Sequence, residues 1–389
     1  MGALLAASCS LPWTSSGNQG ALIPEIAIAS DLPLSGTLGV GATPLSDAIA
    51  LAIHDQRTIG GFRLTYVPLD DAFIGTFSAD KTEQNVRLMI NDSRVLAFVG
   101  PYSSGAARIA IPLANKTNLV MISPSNTADC LTSATDPCPL RPTPLNNYFR
   151  TAASDSAQAS AAARLAVQTL GLTRFAVLDG ETDYDKNLAD VFASALIASG
   201  GAVALRSSYS PYADDYTELL HEARVAKAEA VYVGNPSSTA ACRLRAQMAS
   251  VFPTSAYMIG GDGLAGCGSD AGAGADEHLL AMVSDPQPAT DSKVYKEFRA
   301  HHIPPVPYAF GAYDCAQIII DALGRAIQAD GGRVPTRKEV LDAVASTHLL
   351  GATGLFTFLP TGDPTSPVAS VYRVEKGHWV FWQNAPSSP

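Results

Sequence analysis

The stretch Leu96-Ala-Phe-Val-Gly-Pro-Tyr-Ser-Ser-Gly105 joins a continuously apolar run to a turn and then to the start of an amphipathic segment. Continuous apolar runs are typical of parallel strands that are covered on both faces. A strand, a turn and a helix in this order form a βα unit, and the residues of the turn lie at the carboxyl edge of the sheet. The stretch therefore predicts an α/β fold with hydroxyl residues at that edge.

Short apolar runs alternate with longer amphipathic stretches along most of the chain. The runs predict strands at Glu25–Ser30, Arg63–Leu69, Leu96–Gly100, Leu119–Ser123, Phe175–Leu178, Ala202–Leu205, Ala230–Gly234 and Ala256–Gly260. The stretches between them predict helices at Pro44–Asp55, Phe77–Asn91, Gly105–Lys116, Ser156–Leu170, Asp185–Ala198, Tyr212–Ala226 and Ser237–Val251. Two successive sets of such repeats indicate two doubly wound, Rossmann-like α/β lobes.

The part of the chain from Pro286 onward departs from this alternation. It predicts helices at Ala309–Ala329 and Thr336–Ala345 and strands at Leu355–Leu359, Val368–Val374 and Trp379–Trp382. Terminal strands of this kind close an existing sheet more readily than they form a domain. The Pro-rich segment from Asp129 to Asn147 is interpreted as a boundary between the two halves.

The composition is that of a folded, soluble protein. The chain has 389 residues, 47% of them hydrophobic and 16% charged, and 26 Lys and Arg against 36 Asp and Glu give a net charge of −10. This length fits two domains, each with its own core. The acidic balance and the absence of a basic run exclude a nucleic-acid surface, which requires clustered Lys and Arg. No apolar stretch approaches the roughly 20 residues that span a bilayer.

Polar residues follow the predicted strands at three places. Ser103 or Ser104 can cap the helix after the run Leu96–Val99, with the first amides of the helix pointing outward at an anion. Ser123-Pro-Ser-Asn-Thr127 ends the next strand and adds hydroxyls and amides at the same edge. The two loops predict a binding site for a carboxylate. The alternative is that their polar residues only cap a helix and form a turn. Asp262, at the corresponding strand end of the second half, can neutralise an amine or cap a turn.

Signatures of catalysis and of cofactor binding fail or are missing. Gly261-Asp-Gly-Leu-Ala-Gly266 matches the dinucleotide pattern G-x-G-x-x-G, but the residues after it are poor helix formers, so no helix would face a pyrophosphate. The P-loop and G-x-S-x-G patterns do not occur. None of the seven histidines has another four residues away. We therefore predict no metal, no cofactor and no enzymatic activity.

The six cysteines fit no zinc or redox spacing. We expect a disulfide between Cys130 and Cys138, which would close a turn-rich loop in a protein exported from the cytoplasm. Cys242 and Cys267 can form a second bridge or remain buried thiols. Cys315 lies in an apolar helix and is predicted to be a small core residue.

Cys9 follows an apolar stretch, Gly2-Ala-Leu-Leu-Ala-Ala-Ser8, and precedes Ser/Thr/Gly-rich text that runs to Gly20. The segment resembles the end of a bacterial lipoprotein signal peptide, which implies that Cys9 is lipidated and tethers the protein through a flexible linker. The resemblance is partial, because Ala6 stands where Leu is usual and a basic start is absent. The alternative is a leader without function.

Seven short segments are together specific to one family, through their order along the chain and their spacing. They are Ile26-Ala-Ile-Ala-Ser-Asp-Leu-Pro-Leu-Ser-Gly36, Leu69-Asp-Asp-Ala72, Phe98-Val-Gly-Pro-Tyr-Ser-Ser-Gly105, Met121-Ile-Ser-Pro-Ser-Asn-Thr127, Asn147-Tyr-Phe-Arg-Thr151, Ala176-Val-Leu178 with Tyr184, and Tyr257-Met-Ile-Gly-Gly-Asp-Gly263. Over about residues 24–384 the chain resembles the type I periplasmic-binding proteins of the branched-chain amino-acid transport family. The resemblance implies two lobes that are joined by three hinge crossings and close on a ligand.

The resemblance also implies which residues bind the charged ends of an amino acid. Ser104 through its hydroxyl, Ser125 through its amide and Thr127 through both groups would bind the ligand carboxylate. Asp262 replaces the Glu that is frequent in the family as the partner of the ligand ammonium. Tyr184 matches an aromatic residue that packs on the ligand in the closed state.

Five further residues complete the predicted pocket. They are Tyr102, Ser103, Asn126, Val40 and Asn235. An aromatic residue is common in the family where this chain has Val40 or Leu38, and again around Asn235-Pro236. The part of the site that would hold the ligand side chain is therefore unusual, and the ligand need not be leucine, isoleucine or valine.

The implied function is that of an extracytoplasmic, monomeric solute-binding protein that delivers an amino acid or a related small carboxylate to the membrane permease of an ABC importer. After a leader over 1–23, lobe 1 is expected to comprise 24–151 and 284–357, and lobe 2 to comprise 152–283 and 358–389. The alternative is a ligand sensor or regulator of the same fold that binds an amide or an aromatic acid, for which Asp262 is unneeded. An α/β enzyme is the rival of another class.

Overall fold

The computed structural model describes residues 23–74, 76–133, 140–180, 183–234, 238–266 and 278–386. Its strands are β1 Glu25–Leu32, β2 Thr58–Ile59, β3 Phe62–Asp70, β4 Ala72–Phe73, β5 Thr76–Phe77, β6 Val95–Val99, β7 Val120–Ser123, β8 Tyr148–Arg150, β9 Arg174–Asp179, β10 Ala202–Ser208, β11 Ala230–Val233, β12 Met258–Gly260, β13 Leu279–Val283, β14 Leu349–Leu350, β15 Leu355–Phe356, β16 Val368–Glu375 and β17 His378–Pro386. Its helices are α1 Gly36–Asp55, α2 Ala79–Asn91, α3 Ser104–Asn115, α4 Asp155–Arg164, α5 Asp183–Ala198, α6 Thr217–Val225, α7 Ser238–Val251, α8 Lys293–Ala300, α9 Ala309–Ala329 and α10 Arg337–Ala345.

The first sheet has the strand order β2-β3-β1-β6-β7-β8. β3, β1, β6, β7 and β8 run parallel, and the short β2 pairs antiparallel with β3 at the edge. α1, α8, α9 and α10 cover one face of this sheet, and α2 and α3 cover the other. The strand order reverses at β1, so the carboxyl ends of β1 and β6 flank the crevice where sheets of this kind bind ligands.

The second sheet repeats this arrangement, with the order β10-β9-β11-β12-β13-β16-β17. β10, β9, β11, β12 and β13 are parallel, and β16 and β17 close the sheet as antiparallel strands, as expected for the end of the chain. α6 and α7 cover one face, and α4 and α5 cover the other. The prediction of two doubly wound α/β lobes is confirmed.

The chain crosses between the two halves three times. The crossings lie at 151–154 after β8, at 284–292 after β13 and at 357–367 after β15. The interpretation of the Pro-rich segment Asp129 to Asn147 as the boundary is wrong, because β8 still pairs with β7 in the first sheet after this segment ends. The first crossing therefore begins only after Arg150.

Every helix and strand that the sequence predicts overlaps an observed one, but some starts differ and some elements are missed. α1 begins at Gly36 and contains Pro44 within it, whereas the preference of proline for the first helical turn placed the predicted start at Pro44. β13 and α8 follow the predicted βα series and were not predicted. α8 has only eight residues, and Phe298 is its one buried residue, so it carries little apolar periodicity.

Two buried aspartates lie near the carboxyl ends of β1 and β3. Asp31 and Asp71 are both 0% exposed, and Asp31 Oδ1 accepts a hydrogen bond from Asn85 Nδ2 at 2.7 Å. Asp31 Oδ2 and Asp71 Oδ1 have no hydrogen-bond partner among the described residues. Burial raises the pKa of Asp71 to about 6, helped by the charge of Asp70, and burial together with the charge of Asp71 raises the pKa of Asp31. At a pH between the unfolded and folded pKa values, these two carboxyl groups therefore bind more protons in the folded protein than in the unfolded chain.

The Asp71 carboxyl group is expected to make stability fall as pH rises. Its pKa of about 6 in the folded protein lies above the unfolded value near ~3.9, so the free energy of unfolding decreases between about pH 4 and pH 6. Asp71→Asn is expected to remove about 1–3 kcal/mol of this decrease. Urea unfolding at either end of the range measures it, with Asp80→Asn, an exposed acid of α2, as the control. Equal pH dependence in wild type and Asp71→Asn would show that Asp71 is not the proton-binding group.

Candidate ligand site

The first half of the candidate site is the pair of loops that follow the neighbouring parallel strands β6 and β7. β6 is followed by Gly100, which has φ +117° and would place a Cβ 2.5 Å from the carbonyl oxygen of Asp31. Only glycine fits this position, because a side chain would meet both a positive φ and a backbone atom. The Gly100–Pro101 peptide bond is cis. The loop is thereby held close to the end of β1.

Side chains of the second loop hold the first loop in place. Ser123 Oγ donates to the carbonyl of Pro101 at 2.9 Å. Ser125 Oγ and Asn126 Nδ2 both donate to the carbonyl of Tyr102 at 2.8 Å, and the amide of Ser125 donates to Ser123 Oγ at 3.3 Å. Ser125 and Asn126 thus position the backbone of Tyr102, and their predicted contacts with a ligand stay a prediction.

The first turn of α3 lies at the same edge. Ser103 caps the helix by accepting the amide of Gly105 at 3.2 Å, which decides between the two capping serines. Ser104 is the first helical residue, and its Oγ accepts the amide of Ala128 at 3.4 Å, so its own hydrogen is left to donate. Thr127 is partly exposed, and its hydroxyl makes no hydrogen bond within the described residues. Helix amides, a serine and a threonine are a suitable set of donors for an anion.

Asp262 forms the opposite half of the site, at the end of β12. It opens a short 3₁₀ turn, Asp262–Gly266, in which the amide of Gly263 donates to Asp262 Oδ1 at 2.9 Å. The hydroxyl of Tyr308 donates to Asp262 Oδ2 at 3.3 Å. Burial raises the pKa of Asp262, and these two hydrogen bonds offset only part of the rise. The carboxylate is therefore short of compensating charge, and a cation beside it would be stabilised.

Tyr102 connects the two halves. Its ring lies 6.3 Å from the ring of Tyr308 in an edge-to-face contact at 87°. Burial raises the pKa of Tyr102, and the negative charges of Asp262 and Asp285 add to this rise. Tyr102 of the loop after β6 and Asp262 after β12 therefore both lie near Tyr308. That Asp262 and the polar residues of the two loops bind one ligand stays a prediction.

Of the three other predicted residues, one is exposed, and the side chains of two lie outside the described part of the chain. Val40 lies in the first turns of α1, and its side chain is 81% exposed. Tyr184 is the second residue of α5, and its side chain is outside the described part of the chain. Asn235 is also outside that part. Their roles as pocket residues stay predictions.

Arg150, the last residue of β8, is 0% exposed and ties the second loop to the third crossing. Its Nε donates to Asp363 Oδ1 at 2.6 Å. Its Nη1 donates to the carbonyls of Asn126 and Ala128 at 3.2 and 2.9 Å, and its Nη2 donates to Thr132 Oγ1 at 2.8 Å. The sequence showed Arg150 only inside a family-like segment and gave no hint of this role.

The sequence analysis did not predict Tyr308 or Asp285 as site residues. Tyr308 precedes α9 in a left-handed conformation with φ 69°, and Asp285 follows the unpredicted β13. The apolar run Leu279–Val283 followed by Ser284-Asp-Pro286 was the signal that could have found Asp285. Tyr308 had no such signal, because its position depends on the second crossing.

Three of the six cysteines, Cys130, Cys242 and Cys315, lie within the described residues. Cys315 is 0% exposed in α9, which confirms it as a core residue. Cys130 is 8% exposed, and its Sγ accepts a hydrogen bond from Arg108 Nη2 at 2.8 Å. Cys9, Cys138 and Cys267 are outside the described residues, so the lipidation and both disulfides stay predictions.

The described ranges lack both a metal-binding cluster and a membrane-spanning helix. They contain no group of three or more His, Cys, Asp or Glu side chains that could hold a metal ion. No helix within them is long and apolar enough to cross a bilayer. The expectation that the protein needs no metal or cofactor stays a prediction.

Two doubly wound α/β lobes joined by three crossings are the architecture of two-lobed α/β binding proteins. Residues 25–378 match the family described as periplasmic binding protein, and the chain belongs to this family. The family consists of substrate-binding proteins. The resemblance that the sequence indicated is confirmed.

Individual relatives are similar over nearly their whole length. The Leu/Ile/Val-binding protein BraC3 of Rhizobium johnstonii is 26% identical over 381 residues, which cover 92% of this chain and 93% of that protein. An ABC transporter substrate-binding protein from Desulfitobacterium hafniense, solved in complex with Leu, is 19% identical with a TM-score of 0.73, covering 92% of this chain and 100% of that chain. A solute-binding protein from R. palustris, solved in complex with benzoate, is 21% identical with a TM-score of 0.66, covering 94% and 97%.

Proposed function

We propose that the protein is an extracytoplasmic solute-binding protein that captures an amino acid or a related small carboxylate between two closing lobes. Lobe 1 comprises 24–151 and 284–357, and lobe 2 comprises 152–283 and 358–389. The bound molecule is then delivered to the membrane permease of an ABC importer. Binding without turnover is the whole of the proposed activity.

The observation that carries the proposal is that one lobe carries groups suited to a carboxylate, whereas the other carries a carboxyl group suited to an ammonium group. The α3 start, with Ser104 and Thr127, suits a carboxylate. Asp262, whose pKa burial raises, suits an ammonium group. A zwitterion satisfies both halves at once, which matters because a buried charge left unpaired costs several kcal/mol.

Contacts between the lobes support closure around the ligand. Asp129, in lobe 1, accepts hydrogen bonds at its Oδ2 from Ser156 Oγ at 2.7 Å and from Asn187 Nδ2 at 3.3 Å. Ser156 and Asn187 belong to α4 and α5 of lobe 2. These bonds are polar and few, so they can form and break during a hinge motion about the three crossings.

A sensor or regulator of the same fold that binds an amide or an aromatic acid is the alternative, and one observation favours an aromatic ligand. Tyr102 and Tyr308 form an aromatic edge-to-face pair at the site, and a benzene ring is a natural partner for such a pair. The R. palustris protein, similar in fold, was solved with benzoate. An aromatic acid has no ammonium group, so Asp262 would have no role in binding it.

Three further parts of the proposal concern the whole protein. We propose that it acts as a monomer, that a lipid on Cys9 tethers it to the membrane, and that Cys130–Cys138 and Cys242–Cys267 disulfides form outside the cytoplasm. Membership of the periplasmic binding protein family supports an extracytoplasmic location. Intact mass measured with and without a reductant tests the lipid and the disulfides together.

Mass spectrometry of the protein after mild purification identifies a retained ligand, and calorimetry with amino acids and aromatic acids then ranks the compounds. We expect an amino acid to bind. Thr127→Val is expected to weaken it roughly 10–100-fold, since a hydrogen bond to a charged group contributes about 1.5–3 kcal/mol. Thr58→Val, at an exposed position of β2, is the matched control. Retention of an aromatic acid with no affinity for amino acids would favour the sensor instead.

A further inference from the structure

A second acidic side chain, Asp285, lies beside the candidate site. It follows β13, the parallel neighbour of β12, so its position is at the same sheet edge as Asp262. Asp285 is 1% exposed. Gln287 Nε2 donates to its Oδ2 at 2.6 Å, whereas its Oδ1 has no hydrogen-bond partner among the described residues. A buried, unpartnered carboxylate oxygen is costly unless another group satisfies it.

The two tyrosines connect Asp285 to the site. Tyr308 is linked to both carboxyl groups, since its hydroxyl donates to Asp262 and its backbone amide acts to lower the pKa of Asp285. The charges of Asp262 and Asp285 both act on Tyr102, and they add to the effect of burial in raising its pKa. Both carboxyl groups therefore lie in the neighbourhood of the Tyr102–Tyr308 pair.

Within the described ranges, neither carboxyl group forms an ion pair with a basic side chain. Every Lys and Arg of the chain lies in the described ranges, and the ion pairs formed there involve neither Asp262 nor Asp285. Two carboxylates beside two tyrosine rings form surroundings that attract cations, because the faces of aromatic rings also carry negative potential. A cation that pairs with either carboxylate would have to come from a bound ligand.

We propose that Asp285 is a second ligand-contacting carboxylate and that the site selects amino acids with a positively charged side chain. The proposal rests on the proposed function, in which the start of α3 receives the ligand carboxylate and Asp262 receives the α-ammonium. An amino acid with an apolar side chain leaves Asp285 without a cationic partner. A ligand such as lysine supplies a second cation and so neutralises both carboxylates.

Protonation of Asp285 provides an independent readout. Burial raises its pKa to about 7; the Tyr308 amide and Gln287 oppose the rise, and the charge of Asp314 adds to it. Tyr102 and Tyr372 are the other titratable groups on which its charge acts. Near neutral pH, part of the unliganded protein therefore carries a proton on Asp285. A cation beside it lowers the pKa, so its binding releases up to about half a proton.

L-lysine and L-norleucine are matched probes, because norleucine has the same carbon chain without the terminal ammonium. Calorimetry of the full chain is expected to give a Kd for lysine at least about 10-fold lower than for norleucine. Titrations in two buffers of different ionisation enthalpy are expected to show proton release with lysine only. Asp285→Asn is expected to reduce the preference for lysine at least about 10-fold and to abolish the proton release, with norleucine affinity changed less than about 3-fold. Asp190→Asn, at a side chain 68% exposed, is the control.

The outcomes distinguish failure of the inference from failure of the proposed function. Equal or tighter binding of norleucine by the wild type overturns the inference without any variant and leaves the proposed function standing. An unchanged lysine preference in a folded Asp285→Asn protein also overturns the inference alone. Binding of neither probe, together with a retained compound that is not an amino acid, overturns the proposed function and the inference together.

Discussion

Replacing Asp262 with alanine is expected to weaken binding of the captured amino acid about 100-fold or more. The substitution leaves the ligand ammonium group buried between the lobes without its counter-charge, and breaking a buried pair in this way costs about 3–5 kcal/mol. The hydroxyl of Tyr308 also loses its acceptor, Asp262 Oδ2. Calorimetry with the ligand identified by mass spectrometry measures the change in Kd.

Two further variants make the Asp262 experiment specific. Asp262→Glu restores the carboxylate, and we expect it to recover most of the affinity. Asp214→Ala removes an acid of lobe 2 whose side chain is 94% exposed, and we expect it to have no effect. Unchanged amino-acid affinity in Asp262→Ala would show that Asp262 is not the partner of the ammonium group.

Replacing Arg150 with methionine is expected to lower the free energy of unfolding by about 3–5 kcal/mol. Methionine fills similar space without the charge. The change strands Asp363 of the third crossing and leaves the carbonyls of Asn126 and Ala128 and the hydroxyl of Thr132 without their donor. Urea unfolding followed by circular dichroism measures the difference.

The control for Arg150 is an arginine that forms an ion pair at the surface. Arg87 pairs with Glu83 at 2.7 Å, and its side chain is 60% exposed, so Arg87→Met is expected to cost less than about 0.5 kcal/mol. If Arg150→Met were no more damaging than Arg87→Met, the hydrogen bonds of Arg150 would contribute nothing to holding the loop on the crossing. A loss of ligand affinity in a stable Arg150→Met protein would instead place its role in the geometry of the site.

The fold was predictable from sequence where structure is local. The run Leu96–Val99 with the residues up to Gly105 specifies a buried strand, a turn and a capped helix without help from the rest of the chain. β13 was missed because its apolar run comes just before a Pro-rich crossing. The start of α1 was misplaced because proline is favoured in the first turn, yet three glycines precede Pro44 inside the helix.

The site was predictable to the same extent. Ser104 and Thr127 come shortly after the neighbouring strands β6 and β7, whose parallel pairing brings their ends together. Asp262 comes shortly after β12 of the second sheet. Tyr308, Asp285 and Arg150 meet this site only because the chain crosses between the lobes, and no periodicity records such a meeting. Ser125 and Asn126 show the converse, since their side chains hold the carbonyl of Tyr102.

A crystal structure of the protein with its tightest-binding amino acid tests the central claim most directly. We predict density for the ligand between the lobes, with its carboxylate within hydrogen-bond distance of Ser104 and Thr127 and its ammonium group on Asp262. A ligand bound elsewhere, or one held between the lobes with Asp262 out of contact, would contradict it.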